Sequence, residues 1–141
     1  MQKPHIALFD LDGTLCQLYG KRPKKYTWLE APVKPTLWLI HGMIKAYDKR
    51  SSKHFQVWIL TGRSKKRYET VTKEWMEFFW VEAKLFMQEW STLEKNHEYK
   101  KKKLIELQKE YYIQFLIDDN EEMANVCKEL WIPFYLFKNC Y

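Results

Sequence analysis

An α/β fold with a parallel sheet is predicted by three features of this 141-residue sequence: short apolar runs that each stop at a polar turn, segments of helical spacing between those runs, and enough apolar side chains for one core. The first run, residues 5–9 (HIALF), is almost continuously apolar, as a strand covered on both faces must be, and it ends at Asp10-Leu11-Asp12-Gly13. A second run, 55–60 (FQVWIL), stops at Thr61-Gly62-Arg63. A third, 115–117 with Ile113 ahead of it, stops at Asp118-Asp119-Asn120. Weaker strand signals lie at 84–87 and at 134–137, the latter set off by Pro133.

Between these runs, Leu37, Ile40, Ile44 and Tyr47 recur at helical spacing. So do Val71, Trp75, Phe78 and Phe79, then Leu104, Leu107 and Tyr111, then Met123, Val126, Cys127 and Leu130. Strand and helix therefore alternate, and right-handed crossovers assemble them into a parallel sheet with helices on both faces, a three-layer Rossmann-like domain. Residues 16–35, rich in Lys, Pro and aromatics, break the pattern. They read as an irregular flap over the end of the first strand, at about 13–35 when its turn is included.

An apolar content of 46% with seven Trp, nine Tyr and eight Phe fills one core, so a single domain over residues 1–141 is expected. No apolar run approaches the roughly 18 to 20 residues that span a bilayer, and the Met-Gln-Lys-Pro start lacks a secretory apolar stretch. A cytoplasmic protein without a membrane partner is expected, while its oligomeric state is left open. Cys16, Cys127 and Cys140 are widely spaced, outside any CxxC or His pattern, and indicate neither a disulfide framework nor a zinc site. The formal charge of +6 favours anionic partners, but much of it sits in two runs, 21–25 and 100–103, and charge alone names no substrate.

In open α/β sheets, ligands collect beyond the carboxyl ends of the strands, which directs attention to Asp10, Asp12, Thr61, Arg63, Asp118 and Asp119. Four carboxylates converging there need a cation, and an oxygen donor set without a His or Cys cluster suits Mg²⁺. Asp10, at a strand end, can attack phosphorus and form an aspartyl-phosphate. Asp12, two residues on, can protonate the leaving oxygen and later deprotonate water. Leu60-Thr61-Gly62-Arg63 offers a hydroxyl, turn amides and a helix N-terminus that together can cradle a phosphate, although Thr61 alone is equally readable as a helix N-cap. Asp118 and Asp119 read as metal ligands or, alternatively, as a helix cap.

The sequence DLDGTL at 10–15, LTGR at 60–63, a lysine ahead of a helix, and IDDN at 117–120, in that order along nearly the whole chain, resembles the haloacid dehalogenase superfamily of phosphatases. The resemblance implies Asp10 as nucleophile, Asp12 as acid/base and Thr61 as phosphate ligand. It implies Mg²⁺ held by Asp10, Asp118 with or without Asp119, and the main-chain carbonyl of Asp12. It also implies one lysine from residues 100–103. Lys100 shares a helical face with Leu104, Leu107 and Tyr111 and is the choice, with Lys103 on nearly the same face as the fallback and Lys101 and Lys102 turned to water.

Inserted cap domains in this superfamily enter in intervals that here span about 40 to 50 residues each, below a comfortable domain size, so no large cap is expected. An open site admits a phosphorylated macromolecular end. A closer likeness, to the 3'-phosphatase module of phage polynucleotide kinase-phosphatase, rests on Arg67-Tyr68, Thr72 and Trp75, Leu85-Phe86-Met87-Gln88, Lys100 and Asp118-Asp119. Gln88-Glu89-Trp90-Ser91 departs from the Arg-bearing, Asp-rich segment of that module.

The likeness implies a Mg²⁺-dependent phosphomonoesterase acting on nucleic-acid 3'-phosphate ends, with Gly62, Arg63, Arg67 and Lys100 joining Thr61 as substrate-binding residues. Lys21, Arg22, Lys24 and Lys25 would meet phosphates, and Tyr19, Tyr26 and Trp28 would offer stacking surfaces or, alternatively and preferred for Trp28, pack within the flap itself. A phosphatase of free nucleotides or other small metabolites is the alternative within the enzyme class, and a non-catalytic nucleic-acid-binding module the alternative outside it. No GxxxxGK[ST] loop occurs, so polynucleotide kinase activity is not supported.

Overall fold

The structure is a computed structural model that describes residues 3–17, 31–48, 55–89 and 95–138. Strands β1 (His5–Phe9), β2 (Phe55–Ser64), β3 (Lys84–Gln88), β4 (Tyr112–Asp118) and β5 (Phe134–Leu136) form one sheet in the order β3-β2-β1-β4-β5, with every neighbouring pair parallel. Helices α1 (Lys34–Asp48), α2 (Lys65–Phe78), α3 (Asn96–Gln108) and α4 (Glu122–Leu130) make the connections. This is the Rossmann-like α/β fold that the alternating pattern predicts, and no second domain is inserted among the described residues.

The chain steps from β1 outward to β2 and β3, then returns past β1 to build β4 and β5 on its other side. Right-handed crossovers in opposite directions put α1 and α2 on one face and α3 and α4 on the other. Alternation along the strands supplies both faces. Phe9, Val57, Ile59 and Ile117 pack with Leu37, Ile40, Trp75 and Met76, while Ile6, Leu8, Trp58 and Leu60 pack with Leu104, Leu107, Met123 and Val126. In β4, Ile113 and Leu116 share a face although three residues apart. The register against β1 shifts between Ile6 and Ala7, and that irregularity absorbs the extra residue.

Two details depart from the periodicity. Phe78 is 57% exposed, and the buried face of α2 runs instead through Thr72, Trp75 and Met76. Phe79, past the end of the helix, turns back onto Trp75 with ring centroids 4.8 Å apart. Reversal of the chain thus does what helical spacing assigned to Phe78. Tyr111 likewise lies beyond α3 and packs edge-on against Trp58.

Helix α4 ends at Trp131, whose backbone is left-handed (φ 60°) and whose side chain is 92% exposed. A residue with a Cβ pays about 1 to 2 kcal/mol there, and this indole buries little in return. Trp131→Gly is expected to raise unfolding stability by roughly 1 kcal/mol, read from urea denaturation; a lower midpoint would show that the indole packs after all.

Candidate active site

The direction of chain growth reverses between β1 and β4, which opens a crevice at their carboxyl ends. Asp10 follows β1 directly, and its backbone N–H donates to the Ile117 carbonyl at 2.9 Å, locking it beside the end of β4. Asp118 closes β4. In a parallel α/β layer the helices run against the strands, so the first turns of α3 reach the same edge.

Lys100, in the second turn of α3, is fully buried and its Nζ donates to Asp10 Oδ1 at 2.8 Å and to Asp118 Oδ2 at 2.6 Å. Of the basic run, Lys101 pairs with Glu129 at the surface. Lys103 pairs with Glu106 and lies 4.7 Å from the Phe86 ring centroid. Asp10 Oδ2 also accepts the Thr14 hydroxyl at 3.1 Å. Thr14 was not singled out as a site residue in the sequence, although it belongs to the DLDGT stretch that carried the recognition.

Asp10, Asp118 and Asp119 each offer an oxygen within 4.8 Å of the other two. Three carboxylates face the single ammonium of Lys100, leaving two negative charges uncompensated within this cluster when all are ionised. Burial first, and then Asp118 and Asp119, drive the Asp10 carboxyl well above the usual range, against the opposing pull of Lys100. Burial likewise raises Asp119. For Lys100, burial works to lower the pKa, but Asp10 and Asp118 outweigh it and hold the ammonium above its ordinary value. Hard oxygen donors carrying excess negative charge fit a divalent cation such as Mg²⁺. Gly13 makes this closeness possible: its φ is +81°, and a Cβ there would collide with the Asp119 carboxylate.

Asp12 stands apart from that trio. Its carboxylate is gripped by Arg63, with Nη2 at 2.6 Å and Nε at 3.0 Å, while Nη1 donates to Thr72 Oγ1 at 2.9 Å. Arg63 was expected to contact substrate phosphate; its side chain is only 1% exposed and points inward, because the Asp12 carboxylate compensates a charge that burial would otherwise penalise. Three of the four predicted carboxylates converge, not four. Cys16 Sγ also lies 3.6 Å from both Asp12 Oδ1 and Arg63 Nη2.

The second motif is corrected as well. Strand β2 continues past Leu60 to Ser64, which pairs with Gln88 of β3 across a register shift, and α2 begins only at Lys65. Thr61 is therefore not a helix N-cap, and the helix start is displaced from it. Its Oγ1 accepts the Arg63 backbone N–H at 3.2 Å, a local turn within the strand end. Gly62 is needed for close approach, since a Cβ there would overlap the side chain of Asn96 at the start of α3. Arg67 is exposed on the first turn of α2. The flap residues Tyr19, Lys21, Arg22, Lys24, Lys25, Tyr26 and Trp28 lie outside the described residues.

The sequence matches the family described as the polynucleotide kinase PNKP phosphatase domain over residues 4–135. The chain belongs to that family. It is therefore a phosphatase of the haloacid dehalogenase class, a hydrolase that takes a phosphorylated substrate. A comparison with curated proteins finds no match.

The solved structures that share the fold include these two. One is a chain of the Pnkp1/Rnl/Hen1 RNA repair complex, at 23% identity and TM-score 0.81, covering 96% of this chain and 43% of that one. The other is from a structure of the Pnkp1/Rnl/Hen1 complex, at 22% identity and TM-score 0.81, covering 99% of this chain and 47% of that one. This chain thus spans a little under half the length of each neighbour. Among the described residues, no helix is long and apolar enough to cross a membrane.

Removing one partner of the Arg63–Asp12 pair strands a buried charge. Arg63→Gln is expected to cost about 3 to 5 kcal/mol of stability, and adding Asp12→Asn to return more than half of that. Equilibrium denaturation of both single variants and the double checks this, and fully additive losses would contradict the coupling.

Proposed function

We propose that this domain is a Mg²⁺-dependent phosphomonoesterase that removes 3'-phosphates from nucleic-acid ends through an aspartyl-phosphate on Asp10. The observation that carries the proposal is the placement of Asp10: at the switch point, one oxygen held by Lys100, the other by Thr14, beside two further carboxylates. Membership in the polynucleotide kinase PNKP phosphatase-domain family supports a nucleic-acid end as substrate, and the likeness to chains of an RNA repair complex is compatible with it. The domain is read as one unit over residues 1–141; of the flap expected at about 13–35, Thr14, Leu15, Cys16 and Val33 are instead buried and α1 begins at Lys34, while 18–30 lie outside the described residues.

In this reading an Asp10 carboxylate oxygen attacks phosphorus, and the bond from phosphorus to the ester oxygen breaks. Asp12 gives its proton to the departing oxygen, which leaves as the free hydroxyl of the nucleic-acid end. Asp12 then takes a proton from water, whose oxygen attacks the aspartyl-phosphate. Inorganic phosphate departs and the Asp10 carboxylate is restored. Arg63 holds the Asp12 carboxylate between steps, and one Asp12 oxygen leaves the guanidinium to carry the proton in each step.

Thr61 donates its hydroxyl hydrogen to a phosphoryl oxygen, and Lys100 keeps the nucleophile's carboxylate aligned. Asp10, Asp118 and Asp119 would hold the Mg²⁺, with Asp12 contributing only its main-chain carbonyl because its carboxylate is committed to Arg63. When bound, the ion supplies positive charge against the phosphoryl oxygens and relieves the repulsion among the carboxylates.

The test compares phosphate release from 3'-phosphorylated oligonucleotides, 5'-phosphorylated oligonucleotides and mononucleotides. Asp10→Asn is expected to lower turnover by on the order of a thousandfold or more while keeping the fold, since the amide retains the shape without the nucleophile. Fastest release from the 3'-phosphorylated oligonucleotide is the expected ranking; preference for mononucleotides would make this a metabolite phosphatase. EDTA is expected to abolish activity and added Mg²⁺ to restore it. Full turnover in chelator would remove the metal from the account.

A further inference from the structure

We infer that Gln88 is a positioning residue for this site, acting through one peptide bond on both Thr61 and Arg63. Gln88 is the last residue of β3, 6% exposed, and its Nε2 donates to the Gly62 carbonyl at 3.2 Å. The other end of the same peptide, the Arg63 N–H, donates to Thr61 Oγ1 at 3.2 Å. The plane of the Gly62–Arg63 peptide is thereby fixed from both sides.

Two consequences follow for chemistry. A hydroxyl has one hydrogen to give and two lone pairs to receive. Because Thr61 Oγ1 receives from the Arg63 N–H, its own hydrogen is directed away from that peptide and stays free for an incoming acceptor. The same peptide carries the Arg63 backbone, from which the guanidinium reaches Asp12. If the peptide rotated, the Thr61 hydroxyl would lose its fixed direction and the grip on Asp12 would shift. The contact Gln88 makes here is with the main chain of Gly62, so the influence argued for it is on geometry. Its neutral carboxamide supplies a donor at the strand end without adding charge beside the carboxylates.

This inference rests on the reading of Thr61 as the phosphate-binding hydroxyl. Its test is a kinetic cycle with the 3'-phosphorylated oligonucleotide. Gln88→Met keeps length and volume but removes the donor; Gln88→Glu keeps the shape and offers the Gly62 carbonyl a carboxylate instead. Gln88→Met is expected to lower kcat about tenfold, the range in which supporting hydrogen bonds act, with KM within about twofold. Gln88→Glu is expected to lose at least as much and to lower the unfolding midpoint too, because it buries an unpaired carboxylate against the Gly62 carbonyl, whereas Gln88→Met, which adds no charge, is expected to keep a midpoint close to wild type.

In a Thr61→Ala background, the loss of kcat from Gln88→Met is expected to shrink to a few-fold, because the hydroxyl it directs is gone while the route through Arg63 to Asp12 remains. Wild-type kcat in both Gln88 variants, or losses that multiply in full with Thr61→Ala, would overturn the role of Gln88 alone. Wild-type turnover in Thr61→Ala itself would overturn the reading of Thr61, and the inference with it.

Discussion

The ammonium of Lys100 is the interaction on which the other parts of the site depend. It lies in a fully buried position between the ends of β1 and β4, and each of its two short contacts joins α3 to a different strand. Neither partner is tenable there alone. Burial would push the lysine toward its neutral form and Asp10 toward its acid form, and each charge is stabilised by the other. One ammonium does not balance three carboxylates, however, and the surplus negative charge is a feature the fold tolerates because the site has work to do. A domain selected for stability alone would pack apolar groups at this position.

The surrounding architecture holds the groups of this charged centre close together. The parallel sheet places Asp10 and Asp118 side by side through the Asp10 to Ile117 backbone bond, and the left-handed turn at Gly13 lets Asp119 close over it. Helix α1 is tied in as well: Thr36, in its first turn, donates its hydroxyl to the carbonyl of Thr14, whose own hydroxyl is on Asp10. Arg63 and Asp12 form a second, separate pair, so Asp10 and Asp12 sit in two electrostatic compartments. That division lets two carboxylates two residues apart take different roles.

Much of this was legible in the sequence because strand ends are marked by abrupt changes from apolar to acidic residues. Asp10, Asp118 and Asp119 could be placed at one edge from the runs that precede them, and Lys100 from the face it shares with Leu104 and Leu107. The direction of a side chain at the end of a strand was not legible. Arg63 looks like a phosphate ligand in one dimension, and only the pairing of β2 alongside β1 brings Asp12 within its reach. The same holds for Gln88 and Asn96, whose significance lies in contacts to Gly62 across 26 and 34 positions of sequence, and which carry no local signal. Thr14 was recoverable from the motif itself, as a hydroxyl placed four residues after Asp10. The α2 face failed at Phe78 because the buried face is centred on Thr72, Trp75 and Met76, which leaves Phe78, still within the helix, turned to solvent.

The most direct measurement is to trap the covalent intermediate. Enzyme mixed with an oligonucleotide carrying a radiolabelled 3'-phosphate is quenched in acid within the first turnover, digested, and mapped by mass spectrometry. The account predicts label on the peptide containing Asp10, stable in acid, released by hydroxylamine and absent from Asp10→Asn. Phosphate release with no labelled enzyme at any quench time, or label on a different residue, would contradict it.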